Sequence, residues 1–298
     1  MKHRFLVTAV SLLFQCLQLA AQSPKTLLWE ISGKGLSKPS YIFGTMHVLC
    51  AAEEMMSDSL LAAIQKSEQV FFEIDMDNPG EMLGVFKYIR MKDNKKISDL
   101  LSAEEYQRVK DYFSNNKTVL PLSMMERFKP YFVAAMLSES KMPCNAKTGM
   151  EELILKQAKT QGKAIGGLET IAFQAGVFDS IPYTEQAKEL LKTIDEEARQ
   201  DSFTNRMSEI YRSQDLQQIE KLTLEEEGGV SAYLELFLFG RNASWIQPME
   251  TAMQKNAVLF AVGAAHLPGE KGVLNLLRKA GYTLRPVENN GRTAVLVQ

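Results

Sequence analysis

Histidine is scarce in this sequence: three occur among 298 residues, at positions 3, 47 and 266. Any chemistry that needs an imidazole therefore rests on very few positions. Cysteine is equally rare, at 16, 50 and 144, and no Cys-x-x-Cys-His run marks covalent haem attachment. There is no Lys/Arg block, no Gly-rich phosphate loop and no low-complexity tract. The formal net charge of -2 leaves no strong field to recruit nucleic acid or an anionic membrane. No linker rich in Pro, Gly or Ser divides the chain, so one domain is expected. A hydrophobic content of 45% is that of an ordinary globular protein with a full core.

The first specific signal is N-terminal. "MKHR" is basic, "FLVTAVSLLFQCLQLA" is continuously apolar, and "LAAQS" supplies small residues for cleavage. Residues 1–21 read as a secretory signal peptide, with a retained anchor as the alternative. The run is short for a span of ~20 residues. Acylation at Cys16 fits poorly, because Gln15 stands where a small residue is expected. An exported chain, periplasmic or secreted, follows, with no transmembrane span in its mature part. Loss of Lys2 and Arg4 moves its formal charge from -2 to -4. An oxidising compartment would let Cys50 and Cys144 pair; two buried thiols are the alternative.

Apolar patterning places strands near both ends. "LLWEIS" (27–32) and "SYIFGTMH" (40–47) read as a hairpin around "GKGLSKP", and "QVFFEID" (69–75) as a buried strand. "SDSLLAAIQKS" (57–67) carries an N-cap serine, and Ser102 with Glu105 has capping-box spacing. The residues from about 80 to 255 read as a helical insertion, interrupted by a strand near 163–169. "AVLFAVGAAH" (257–266) is a strong buried strand, followed by the helix "KGVLNLLRKAG" and the closing strands "YTLRPVE" and "TAVLVQ". The expected fold is α/β with α+β-like order: a mixed sheet over residues 22–298 with strands at both chain ends.

"FGTMH" and "VGAAH" repeat one pattern: an apolar strand, Gly, two residues, His. With Gly at about 7% of residues, both histidines outside the leader would follow Gly at this spacing in roughly 0.5% of chains by chance. Each motif opens a strand–loop–helix–strand unit, which sets its strands parallel with a right-handed crossover. His47 and His266 then leave the same carboxyl edge, where open α/β sheets bind ligands. Gly44 and Gly263 are expected where the chain turns sharply off the sheet. Strand alternation puts Glu73 and Asp75 on one face, and a carboxylate in so apolar a strand needs a partner. Glu169 ends another strand; its alternative role is to cap the helix that follows. Two histidines with one or two carboxylates suit a divalent ion of the Zn, Mn, Co or Fe kind, which would acidify a bound water. A carboxylate off the metal could act as general base. Each residue has a plainer reading: a structural histidine, a buried ion pair at Glu73, a surface salt bridge at Arg241.

With "YIFGTMHVL", "VFFEID", "GMEELILKQAKTQGKAIGGLETIAFQ" and "GRNASWIQPMETAMQKNAVLFAVGAAHLPGEKGVLNLLRKAGYTLRPV" in order along nearly the whole mature chain, the sequence resembles the TraB/PrgY/GumN family, which includes the TIKI proteases. The resemblance implies a fold like that of erythromycin-esterase-like and ChaN-like proteins, and a divalent-metal protease site of His47, His266 and Glu73. It also implies roles for Glu169 as second carboxylate and for Thr170, Gln174, Arg241 and Asn242, with Arg241 holding a substrate carboxylate or an oxyanion. At Glu151, in "GMEEL", many relatives carry Asp, so no role is carried over to it. The reading is an exported metal-dependent hydrolase acting on a peptide or small molecule, with Mn, Co or Zn as cofactor. A non-catalytic peptide-sequestering protein and a haem- or metal-binding protein are the alternatives. The oligomeric state is not encoded in these features.

Overall fold

The structure is a computed structural model and describes residues 24–50, 56–142, 144, 146–225 and 233–290. The expected signal peptide, Cys16 and the strand "TAVLVQ" lie outside the described residues.

Among the described residues eight strands form two sheets. They are β1 (Leu28–Ser32), β2 (Ser40–Thr45), β3 (Leu49–Cys50), β4 (Gln69–Ile74), β5 (Lys147–Thr148), β6 (Ala164–Glu169), β7 (Val258–Gly263) and β8 (Thr283–Pro286). The main sheet has the order β6-β4-β7-β2-β1-β8. β6, β4, β7 and β2 are mutually parallel, and β1 is antiparallel to both β2 and β8. β8 therefore runs with β2, so both repeated units have the parallel strands their spacing requires. The crossover from β2 to β4 skips one position, which β7 fills between them.

The described residues form twelve α-helices: α1 (Asp58–Lys66), α2 (Pro79–Tyr88), α3 (Ala103–Asn115), α4 (Leu122–Met125), α5 (Pro130–Ser140), α6 (Met150–Thr160), α7 (Ile171–Asp179), α8 (Tyr183–Asp195), α9 (Glu197–Ser213), α10 (Leu216–Glu225), α11 (Gly240–Lys255) and α12 (Val273–Lys279). Ser57 caps α1, and Ser102 with Glu105 closes the expected capping box on α3.

Alternation along the strands fills both faces of the sheet. Tyr41, Phe43, Val70, Phe72, Leu259 and Ala261 pack beneath α1 and α6. Ile42, Val258, Phe260 and Val262 pack under α11 and α12. The insertion has a core of its own around Ile97, Met125, Val133, Leu137 and Leu190. Val70 and Phe72 face the first core, so Glu73, like Phe71, faces the side that carries α11. That parity aims Glu73 at Arg241.

The second sheet is too short to show in the sequence. β3 pairs antiparallel with β5, and beside it Cys50 and Cys144 form a disulfide with Cα atoms 5.7 Å apart. Together they pin the loop after β2 to the segment that precedes α6.

Candidate active site at the carboxyl edge

Four neighbouring parallel strands each bring one group to the same edge. Glu169 ends β6, Glu73 is the penultimate residue of β4, His266 lies three residues beyond β7, and His47 two beyond β2. The centre of the site is Arg241, in the first turn of α11 and 8% exposed. Its Nη2 donates to Glu73 Oε2 at 2.6 Å and to Glu169 Oε1 at 2.6 Å, while Nε donates to both Glu169 oxygens at 3.0 and 3.2 Å. Nη1 donates to the Phe237 carbonyl at 2.9 Å, in the π-helical turn 235–239 that leads into α11. Arg241 is thus a buried fork between two carboxylates, and the surface salt bridge is excluded.

Glu169 does not cap the helix after it. Thr170 does, accepting from the Phe173 N–H, while Glu169 Oε2 accepts from the Trp245 indole at 2.9 Å. Glu73 is held at both oxygens: Oε1 accepts the Gly263 N–H at 2.8 Å, and Oε2 accepts Gln174 Nε2 at 3.1 Å. Burial alone would raise the Glu73 carboxyl. The positive charge of its neighbours His266, Arg241 and His47, together with the Gly263 N–H, outweighs burial and lowers it to about 2. Asp75 stays outside the site and accepts the Asp77 N–H just beyond β4.

The two histidines have unlike surroundings. His266 is buried against Trp245, with ring centroids 4.5 Å apart. Asn242 spends its amide N–H groups on the carbonyls of Lys271 and His266, at 2.9 and 3.4 Å. Its Oδ1 therefore faces His266 Nδ1, 2.6 Å away, and this assigns the proton to Nδ1. The Nε2 lone pair points toward Arg241 Nη1 at 3.3 Å and lies 3.7 Å from Glu73 Oε1. Burial lowers the His266 pKa to about 3; Glu73 opposes the shift, and Arg241 and His47 reinforce it. At neutral pH His266 is uncharged, so the cations that keep Glu73 ionised there are Arg241 and His47; the His266 ring adds its charge only in the acid range where it is protonated.

His47 sits on the rim, with 67% of its side chain exposed. Its Nδ1 is 2.6 Å from Glu151 Oε1, which also accepts from Thr45 Oγ1 at 2.5 Å. Crowding by protein disfavours the charged ring, but the Glu151 hydrogen bond and charge, with Glu73 behind them, raise its pKa to about 9. Glu151 is thus a site residue that the departure from Asp had hidden. It is buried, and its Oε2 has no hydrogen-bond partner among the described residues. Gly149 makes the contact feasible: a Cβ there would lie 2.3 Å from the His47 carbonyl oxygen. Only the spacing "H-x₁₀₁-GME" carried this link, and no local pattern could have exposed it.

Neither motif glycine turns the chain. Gly44 lies inside β2, where a Cβ would meet Leu267 Cδ1 at 2.9 Å and the Ala264 Cα at 3.1 Å. Gly263 ends β7; a Cβ there would stand 3.2 Å from Glu73 Oε1, 3.4 Å from His266 Cδ2 and 3.9 Å from His47 Nε2. Both are glycines because neighbours come close. The second marks the point on which Glu73 and both histidines converge.

Donor chemistry at that point suits a divalent cation. Both rings direct Nδ1 to an acceptor, the outer arrangement of metal-bound histidine; the His266 Nε2 lone pair faces Arg241 Nη1 at 3.3 Å, a contact that an ion would have to replace. Glu73 Oε1 and His266 Nε2 are spaced as two atoms each about 2.0–2.2 Å from one ion would be. Two carboxylates share one guanidinium, a deficit of one positive charge. His47 stands on the rim, and among the described residues no three such side chains surround a common ion position. A cavity of about 900 Å³ lined by Leu49, Met150, Tyr211, Gln214 and Asn289 includes none of these site residues in its lining; Tyr211 there donates to the Gly44 carbonyl at 3.0 Å.

A mixed α/β sheet with a paired-histidine carboxyl edge defines the class. The chain matches the model of the TraB/PrgY/gumN family over residues 27–286 and belongs to that family. It is 23% identical to Metalloprotease TIKI2 of Danio rerio, over 86% of this chain and 60% of that protein. It is 22% identical to Metalloprotease TIKI1 of Homo sapiens, over 86% and 61%, and 22% identical to the Metalloprotease TIKI homolog of Amphimedon queenslandica, over 91% and 63%. The chain spans about 60% of the length of these relatives. No solved structure matches it.

Proposed function

We propose that this chain is an exported metal-dependent hydrolase that cleaves peptides. The observation that carries the reading is the convergence of Glu73, His266 and His47 around the Gly263 Cβ position, with Arg241 behind them. His47 Nε2, His266 Nε2 and Glu73 would hold a divalent transition ion such as Mn, Co or Zn. When bound, it would acidify a water and polarise a carbonyl. Asn242 and Glu151 orient the two rings. Glu169 holds Arg241 in place, and Gln174 holds Glu73. Arg241 supplies the positive charge that an anion developing at this edge requires. The relatives' names, Metalloprotease TIKI, support the reaction class at low identity.

The test is elemental analysis of the purified protein beside the His47→Ala/His266→Ala double variant, followed by peptide-cleavage screens. About one equivalent of metal in the wild type, lost with cleavage in the variant, is expected. Cleavage without metal, or neither metal nor cleavage after incubation with Mn, Co and Zn, would overturn the reading.

A further inference from the structure

Helix α2 leaves the sheet directly after β4 and buries none of its own residues. It is nonetheless apolar, and Leu83 and Phe86 are each 71% exposed, with Met82 beside them at 40%. A helix that presents its apolar side chains to solvent is incomplete without something to cover them. Phe86 borders an open cleft of about 910 Å³, and Met124, 58% exposed, borders it from α4. Four cations line the same cleft: Arg90, Lys96, Lys110 and Arg127. One carboxylate, Glu126, faces them, and it already accepts from the Ser98 N–H and the Tyr106 hydroxyl. The cations come from separate stretches of the chain, so the net charge of -2 conceals a local excess of positive charge. Exposed Leu, Phe and Met beside clustered Lys and Arg match the chemistry of an anionic bilayer surface: acyl chains for the first group, headgroup phosphates for the second.

We propose that α2 and the adjoining cationic cleft form a peripheral docking surface for anionic phospholipid membranes. The charge complementarity selects the lipid surface over a neutral apolar partner. The proposal does not depend on the hydrolase reading.

The test uses the full chain on vesicles of phosphatidylcholine alone and of phosphatidylcholine with phosphatidylglycerol. Binding to the anionic vesicles is expected to be at least about tenfold tighter at low salt, with the gain lost at high salt. The exposed pair Lys96→Glu/Lys110→Glu is expected to remove that gain. Phe86→Trp supplies a local reporter, since Trp29 and Trp245 are buried. Its fluorescence is expected to shift blue and to be quenched by brominated lipids beyond the wild-type response. Equal binding to both vesicles would overturn the proposal. So would anionic-vesicle binding without quenching in Phe86→Trp, which would place the contact elsewhere. Displacement from the cleft by a soluble acidic peptide, with no affinity for vesicles, would reassign the surface to an acidic protein and overturn it equally.

Discussion

The two Gly-x-x-His copies look alike in sequence and differ in almost every physical respect. The ring of His266 is enclosed, stacked on Trp245, held neutral and bound to an amide oxygen. The ring of His47 is two-thirds exposed, held protonated and bound to a carboxylate. Gly263 keeps a space open for the chemistry, while Gly44 lets Ala264 and Leu267 pack against the strand. A short repeated motif thus specifies where a side chain leaves the sheet. Its environment is set by what the rest of the chain folds over it: Asn242 and Trp245 from α11 at one copy, Glu151 from α6 at the other.

The harshest way to break the comparison is Arg241→Ala. It strands Glu73 and Glu169 beside one another in a buried setting and is expected to cost about 3–5 kcal/mol in chemical denaturation. Arg241→Lys is expected to recover only part of that, because an ammonium cannot reproduce the fork. Next comes Cys50→Ser/Cys144→Ser. It releases the segment beside His47 and is expected to cost about 2–4 kcal/mol; proteolysis should then cut near residue 50 well before it reaches the β7 edge.

The histidines themselves sharpen the contrast. His266→Ala opens a cavity against Trp245 and strands Asn242 Oδ1, for an expected loss of about 2–3 kcal/mol. His47→Ala, on the rim, should stay within about 1 kcal/mol of wild type. Peptide hydrolysis should nonetheless fall by about 10²–10⁴ in both. Equal stability losses would erase the distinction drawn between rim and interior.

The last test of the comparison is the pH dependence of stability, read by urea unfolding of metal-free protein. His266 has a folded pKa near 3 against 6.5 unfolded, so the unfolded chain binds the extra proton and stability falls as pH drops from 6.5 toward 3. Glu73, lowered from 4.5 to about 2, contributes stability above 4.5 that is lost as pH falls through 2. His47 has the opposite sign: its contribution is complete below 6.5 and is lost as pH rises through about 9. His266→Ala should flatten the limb between 6.5 and 3, and Glu151→Gln the limb between 6.5 and 9. If Glu151→Gln leaves the alkaline limb intact, the pairing assigned to His47 is wrong.

Much of this arrangement was legible in the chain. The alternation of "VFFEID", the apolar run of "AVLFAV" and the crossover lengths were enough to place β2, β4 and β7 parallel, with His47, Glu73 and His266 at one edge. Ser102 and Glu105 announced a helix start that the backbone adopts. What stayed hidden depended on contacts between distant residues. The two-residue strands β3 and β5 carry no periodicity. Glu151 lies 104 positions from His47 along the chain, and its contact rests on the room left by Gly149. The glycines were legible as exceptions but not as to cause, since a close approach by Leu267 or Glu73 leaves no mark on local backbone preference.

The sequence by itself determined the family, the parallel sheet and the four groups that reach its edge, because strand period and crossover handedness follow from local covalent geometry and patterning. Only the tertiary structure decided what those groups are. Burial and partners set the protonation state of His266 and His47 in opposite directions, and Arg241 became the centre of the site when α11 carried it between Glu73 and Glu169. Charge in a low-dielectric site depends on neighbours a few ångströms away, and these are brought together from across the chain only when it folds.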